Sequence, residues 1–239
     1  MDKIIVITGG GEGLGKTIAK RLVNPERKEF SDGARENKVI IVGIKPEIME
    51  PAAKELNCEC KICDITKVDE VKKTVSEIEK EFGQIDVLIN NAGIWIQGLL
   101  EDSDDKRAKE VFEVNCLGTI YMTKYALPGM KKRNAGTIIN IISQAGISAK
   151  PERSVYNASK WAMTGFTKCL QEELDGTNLR IMGMYPSFMN TTLFKNADIS
   201  RDDFDKALDP DELAKTIEFI LTLDPTTSIT ELGIRNIQY

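Results

Sequence analysis

Lys3-Ile4-Ile5-Val6-Ile7-Thr8-Gly9-Gly10-Gly11-Glu12-Gly13-Leu14-Gly15 is the stretch whose reading decides the fold. It opens with an unbroken apolar run of strand length, as expected of a strand covered on both faces. Glycines then crowd positions 9, 10, 11, 13 and 15, and a helical pattern over 14–23 starts at once. Glycine permits a tight turn and lets a ligand approach the backbone closely. The helix N-terminus adds free N–H groups and a dipole that favours phosphate. Glycine spacing alone is a weak signal. Placed between the first strand and the first helix of an alternating chain, it points to a dinucleotide.

The alternation continues outward from that stretch. Further strand-like runs cover 38–43, 59–62, 85–89, 136–142, 179–185 and 227–232, and helical patterns cover 47–56, 68–82, 104–132, 154–175 and 210–223. Repeated strand–helix units imply an α/β fold with right-handed crossovers. The expectation is a Rossmann-type doubly wound parallel sheet of about seven strands flanked by helices. With no composition break, residues 1–239 read as one domain. One connection, 24–37, is longer than such links usually are and rich in charge, which suits a solvated surface insertion.

Composition narrows the chemistry. The 239 residues include 37 acidic and 32 basic side chains, a net charge of −5, five cysteines and no histidine. Imidazole relays, imidazole metal ligands and imidazole acids are therefore excluded. An acidic balance with both signs scattered argues against a nucleic-acid surface. No apolar run approaches the roughly 18 residues that cross a bilayer, so no membrane partner is expected. Met1-Asp2-Lys3 and the short apolar run after it do not read as a signal peptide, and the chain is placed in the cytoplasm. Cys58, Cys60 and Cys63 cluster, but a structural zinc site needs a fourth ligand, and Cys116 and Cys169 are isolated. The three read as small thiols on a short strand, with no metal and no disulfide expected.

Tyr156 and Lys160 are four apart, so on a helix they share a face. A free phenol, with a pKa of about 10, is protonated at neutral pH, and a nearby ammonium favours the phenolate. The pair can move a proton where histidine is absent. Tyr and Lys at this spacing also occur by chance on many helices. Ser143, Asn115 and the glycine loop weigh against chance here.

The spacing T-G-x-x-x-G-x-G over Thr8–Gly15 resembles the short-chain dehydrogenase/reductase family. So do Asp64, Asn90-Asn91-Ala92-Gly93, Asn115, Ser143 and Tyr156-Asn157-Ala158-Ser159-Lys160, in the family's order and over more than three quarters of the chain. The resemblance implies hydride transfer between a nicotinamide and a carbonyl or alcohol carbon. Tyr156 would act as general acid/base and Ser143 would hold the substrate oxygen. Lys160 would lower the Tyr156 pKa and hold the nicotinamide ribose, and Asn115 would anchor a water that relays protons to Lys160. Cofactor contacts would come from Gly9, Gly11, Glu12, Gly13, Leu14 and Gly15, from Gly43, Ile44 and Lys45, and from Asp64 and Ile65. Asn91, Ala92, Gly93, Tyr156, Lys160, Pro186, Ser187 and Thr191 complete that set. The cofactor is NAD or NADP: Gly43 argues against NAD, Glu12 would repel a 2′-phosphate, and Lys45 favours NADP.

Residues 188–207 correspond to the family's variable substrate loop. Met189, Leu193 and Phe194, with Trp95 and Ile96, either line an apolar pocket or belong to ordinary packing. The end at Tyr239 lacks the glycine-rich tail of many relatives, which would shorten the wall beside that pocket. In the family that the chain resembles, the helices matching 104–132 and 154–175 pair across a two-fold axis, so the resemblance implies a homodimer or homotetramer, and the partner otherwise expected is a small carbonyl or alcohol substrate. Two classes of function follow: an NAD(P)-dependent oxidoreductase, or a catalytically silent NAD(P)-binding sensor or scaffold. An epimerase acting on nucleotide sugars fits poorly, because the glycine spacing differs and such relatives carry a longer substrate domain.

Overall fold

Seven aliphatic runs pair into one sheet in the computed structural model, which describes residues 3–23, 37–195, 197 and 206–237. The strands are β1 (Ile4–Thr8), β2 (Lys38–Gly43), β3 (Glu59–Ile62), β4 (Val87–Asn90), β5 (Gly136–Ile141), β6 (Leu179–Pro186) and β7 (Glu231–Ile234). The helices are α1 (Gly13–Val23), α2 (Pro46–Leu56), α3 (Val68–Phe82), α4 (Asp105–Phe112), α5 (Thr119–Arg133), α6 (Ser154–Glu173), α7 (Thr192–Lys195) and α8 (Pro210–Thr222). The sheet order is β3-β2-β1-β4-β5-β6-β7, and every neighbouring pair is parallel.

Alternate residues of the inner strands supply two cores, one on either face. Ile5, Ile7, Val39, Ile41, Val87 and Ile89 meet α1, α2 and α8. Val6, Ile40, Val42, Leu88, Ile138 and Ile181 meet α3, α5 and α6. Both faces are dry, which is why these strands are apolar at every position rather than every second one. Strand order reverses between β1 and β4, and the loops leaving their carboxyl ends diverge there. That gap is where such folds hold a ligand.

A buried polar ladder crosses the second core. Asn90 and Asn140 lie side by side in β4 and β5. Asn90 Nδ2 donates to Asn140 Oδ1 at 2.9 Å and to Thr123 Oγ1 at 3.0 Å. Asn140 Nδ2 then donates to Thr167 Oγ1 at 2.9 Å. The chain of bonds links α5, two strands and α6.

Two sequence expectations need correction. The helix expected over 104–132 is three segments: α4, a wide π-helical turn over Glu113–Gly118, and α5. The widening falls on buried Asn115, whose amide grips a neighbouring loop, and on Gly118, where a Cβ would lie 2.6 Å from Ile65 Cδ1. A π-turn inside a helix commonly marks a functional position. The strand expected over 227–232 starts later, at Glu231, because Asp224 closes a turn by accepting from Thr226 N (2.8 Å) while its carbonyl accepts from Thr227 N (2.8 Å). The charged insertion expected over 24–37 lies outside the described residues except for Asn37. So do 196 and 198–205 of the substrate loop expected over 188–207.

Candidate functional site

The reversal of strand order opens a cleft of about 710 Å³ at the carboxyl edge of the sheet. The expected cofactor residues all line it: Gly9, Gly11, Glu12, Gly13, Leu14, Gly15, Gly43, Ile44, Lys45, Asp64, Ile65, Asn91, Ala92, Gly93, Tyr156, Lys160, Pro186, Ser187 and Thr191. Gly9 and Gly13 have φ of 66° and 52°, where a side chain is strained. Gly15 is required by space: a Cβ would lie 2.1 Å from the Gly9 carbonyl oxygen and 2.6 Å from Asn91 Nδ2. The loop is thus a backbone cradle at the start of α1, with N–H groups for an anion.

Thr8 was overlooked as a site residue, although it closes β1 directly before the first glycine. Its buried Oγ1 accepts from Asn91 N and Ala92 N, both at 3.0 Å, and Asn91 Nδ2 donates back to Thr8 O at 2.9 Å and to Gly9 O at 3.2 Å. These bonds fasten the ends of β1 and β4 together across the gap. Met49 was overlooked too. Its Sδ would stand 2.7 Å from a Cβ on Gly11 and 2.5 Å from one on Gly43, so it floors the cleft where a larger residue 43 would sit. Asp64 is held by Thr66, which donates from N (2.9 Å) and Oγ1 (2.7 Å) to Asp64 Oδ1. On the far wall, buried Ser187 Oγ has no partner among the described residues, which leaves a polar atom for a ligand.

Tyr156 and Lys160 lie on α6 as the spacing predicts, both buried. Lys160 Nζ stands 5.7 Å from the centre of the Tyr156 ring and donates to Ile141 O at 3.3 Å. Burial pulls its pKa down to about 8, opposed by the charge of Cys116. Burial pushes the Tyr156 phenol up. The groups that draw it back are a side-chain hydrogen bond with Ser143 and the positive charge of Arg153. The ammonium expected to lower the phenol is thus replaced by a guanidinium, because Lys160 points its Nζ at Ile141.

Ser143 has φ 144° and ψ 158°, a conformation that favours glycine. The twist is held by two bonds from the short turn that follows: Ala145 N donates to Ser143 Oγ (3.1 Å) and Gly146 N to Ser143 O (2.9 Å). Asn115 stands behind the cleft rather than in its wall. Its Oδ1 accepts from Ile94 N at 2.8 Å, and its Nδ2 donates to Ile94 O at 3.0 Å and to Ser159 Oγ at 3.1 Å. Both amide hydrogens are therefore committed to protein atoms. The amide clamps the loop after Gly93 to the residue just before Lys160.

Trp95 roofs the other end. Its ring centre lies 4.2 Å from that of Tyr156, and Arg153 sits over its face at 5.1 Å. Ile96, Phe188, Leu193 and Ala197 pack against the pair, and Met189 joins the lining. Trp95, Met189 and Leu193 thus belong to the cleft wall. The Phe194 side chain lies outside the described residues. The cysteine cluster is elsewhere: Cys58, Cys60 and Cys63 are free, their thiols raised chiefly by burial. Among the described residues no group of three or more Cys, Asp or Glu could hold a metal ion.

Comparison with known proteins places these features in a wider set. A family model described as short chain dehydrogenase matches residues 3–202. An uncharacterised oxidoreductase of Staphylococcus saprophyticus is 30% identical over 98% of this chain and 97% of its own. Carbonyl reductase family member 4 of Xenopus laevis is 31% identical over 92% of each chain. Among solved structures, the closed form of serine dehydrogenase complexed with NADP+ superposes with a TM-score of 0.86 at 27% identity, covering 99% of this chain and 96% of that one. No helix among the described residues is long and apolar enough to cross a membrane.

Proposed function

The chain belongs to the short-chain dehydrogenase/reductase family, and on that premise we propose that it is an NAD(P)-dependent oxidoreductase of carbonyl and secondary alcohol groups. The observation that carries the reading is the convergence of Ser143, Tyr156 and Lys160 at the end of a glycine cradle for a dinucleotide. The cradle, the partnerless Ser187 Oγ and the polar edges of Asn91 and Asp64 fit a nicotinamide dinucleotide. Such a cofactor, when bound, supplies or accepts the hydride.

The chain's own groups handle the proton and the charge. In reduction, Tyr156 donates its phenolic proton to the carbonyl oxygen; in oxidation it takes the proton back. Ser143 donates to the same oxygen and steadies the charge that develops there. Arg153 brings positive charge to the phenolate, offsetting its burial, while Lys160 keeps its Nζ on Ile141 O. Lys160 would also hold the nicotinamide ribose. Asn115 acts as a positioning residue for Ile94 and Ser159, and a water relay would have to use an oxygen lone pair rather than its amide hydrogens. The neighbouring structure with NADP+, together with Lys45 and the Met49 floor under Gly43, supports NADP over NAD. Comparing KM for NADH and NADPH in wild type and Lys45→Ala tests that choice.

Phe112, Leu117 and Trp161 are exposed on the faces of α4 to α6. They support a homodimer or homotetramer, which light scattering tests. The decisive experiment for the activity is cofactor oxidation against a panel of ketones and aldehydes. Wild type should turn over at least one, and Tyr156→Phe should lose about three orders of magnitude or more. Turnover preserved in Tyr156→Phe would refute the assignment. Cofactor binding without turnover of any carbonyl or alcohol would favour the sensor or scaffold reading.

A further inference from the structure

The substrate end of the cleft is more positive than an acidic chain of net charge −5 would suggest. Among the described residues, Arg107, Lys150 and Arg153 line it against one carboxylate, Glu110. That carboxylate is already matched by Arg107, at 2.7 Å. Arg153 has no ion-pair partner among the described residues, and its guanidinium lies over the face of Trp95 at 5.1 Å. Trp95 in turn packs at a tilt against Tyr156, so the ring holds the guanidinium near the phenol. A half-buried, oriented fork of N–H donors with no protein acceptor is built to receive two oxygens of an anion. The remaining wall, Phe188, Met189 and Leu193, is apolar and suits a short hydrocarbon body.

We propose that the substrate is an oxo acid or the corresponding hydroxy acid, with Arg153 holding its carboxylate while the carbonyl or alcohol faces Tyr156. This rests on the oxidoreductase reading for the reaction, but the anion subsite itself does not require turnover. The carboxylate takes no part in bond making. It fixes which end of the molecule enters first, and Arg153 discriminates acids from neutral ketones. Trp95 acts as the shelf that holds the fork in place.

The test uses pyruvate, acetoacetate and levulinate, each with its methyl ester, so that the distance between carbonyl and carboxylate varies. Calorimetric titration of the protein saturated with NADP+ or NAD+ measures binding without reaction. At least one acid should bind wild type about tenfold or more tighter than its ester. Arg153→Met keeps the stem on Trp95 and should erase that preference while leaving ester binding in place. Arg153→Lys should restore part of it. Steady-state kcat/KM with NADPH or NADH should favour acid over ester in wild type and lose that ratio in Arg153→Met, on top of a fall in both rates from the lost charge beside Tyr156. Acids that bind no better than esters, or a preference that survives in Arg153→Met, would overturn the proposal. Acid binding lost in Arg153→Met, with no turnover of any acid, ester or ketone, would keep the subsite and sink the oxidoreductase reading instead.

Discussion

Replacing Lys160 by Met should stabilise the cofactor-free protein, and by an amount that depends on pH in one direction. Lys160 is 6% exposed, and burial pulls its pKa from 10.5 to about 8. That drop corresponds to about 3 kcal/mol of disfavoured charge in the folded state. Below pH 8 the lysine is protonated both folded and unfolded, so the folded protein bears the whole cost. Between pH 8 and 10.5 the folded state releases its proton first, and the cost fades. Above 10.5 it is gone. The stability of Lys160→Met minus that of wild type should therefore be highest near pH 7 and fall by about 3 kcal/mol by pH 10.5. Loss of the bond to Ile141 O and changed packing enter as an offset independent of pH. Taking the difference also cancels Cys58, Tyr156 and Tyr185, which burial raises in both proteins. Cys116 is coupled to Lys160 and would shift with it, so both proteins carry Cys116→Ala. Urea unfolding followed by ellipticity at half-unit steps of pH measures the curve. A flat difference between pH 7 and 10.5 would refute the reasoning.

Three further outcomes follow from geometry. Ser143→Ala and Ser143→Gly both remove the hydroxyl, but only glycine relaxes φ 144°, so the glycine variant should be the more stable by about 1–2 kcal/mol in urea unfolding. Gly15→Ala puts a Cβ 2.1 Å from a backbone oxygen, so the cradle must open; cofactor affinity by fluorescence titration should fall about tenfold or more, with a lowered Tm. Arg21 bonds Asp211 at 3.0 Å and Glu218 at 3.0 Å between α1 and α8, and both Arg21 and Glu218 are nearly covered. Arg21→Ala leaves Glu218 buried without that cation, and denaturant unfolding should show a loss of about 3 kcal/mol.

The fold was legible because burial on both faces leaves a plain record: strands apolar at every position, helices between them, glycines at the first turn. The site was legible where a backbone demand fixes the residue type, as at Gly9, Gly13 and Gly15. Less could be read where side chains meet only through the fold. Arg153 is three residues before Tyr156, and nothing in that spacing announces that its charge, via Trp95 from another loop, reaches the phenol. Met49 under Gly43 is a contact between a helix and a strand edge that no local pattern encodes. The π-turn at Asn115 was hidden because its cause is a hydrogen bond to Ile94, 21 residues away. The late start of β7 was missed because Asp224 closes a turn using the same polar residues that any strand end offers.

The Asn90–Asn140 ladder works as a ruler. Apolar strands such as β4 and β5 could slide two residues past each other and still present Ile and Leu to the same faces. A paired amide cannot slide without leaving donors and acceptors buried and unmatched, at roughly 1–3 kcal/mol each. The side chains that follow the two strands inherit that setting. Asn91 and Gly93 leave β4, and Ser143 leaves β5, at heights measured from the ladder beneath them. The distance between the cofactor cradle and the serine that faces Tyr156 is thus set just beneath the cleft wall, by two amides that are not themselves part of its lining.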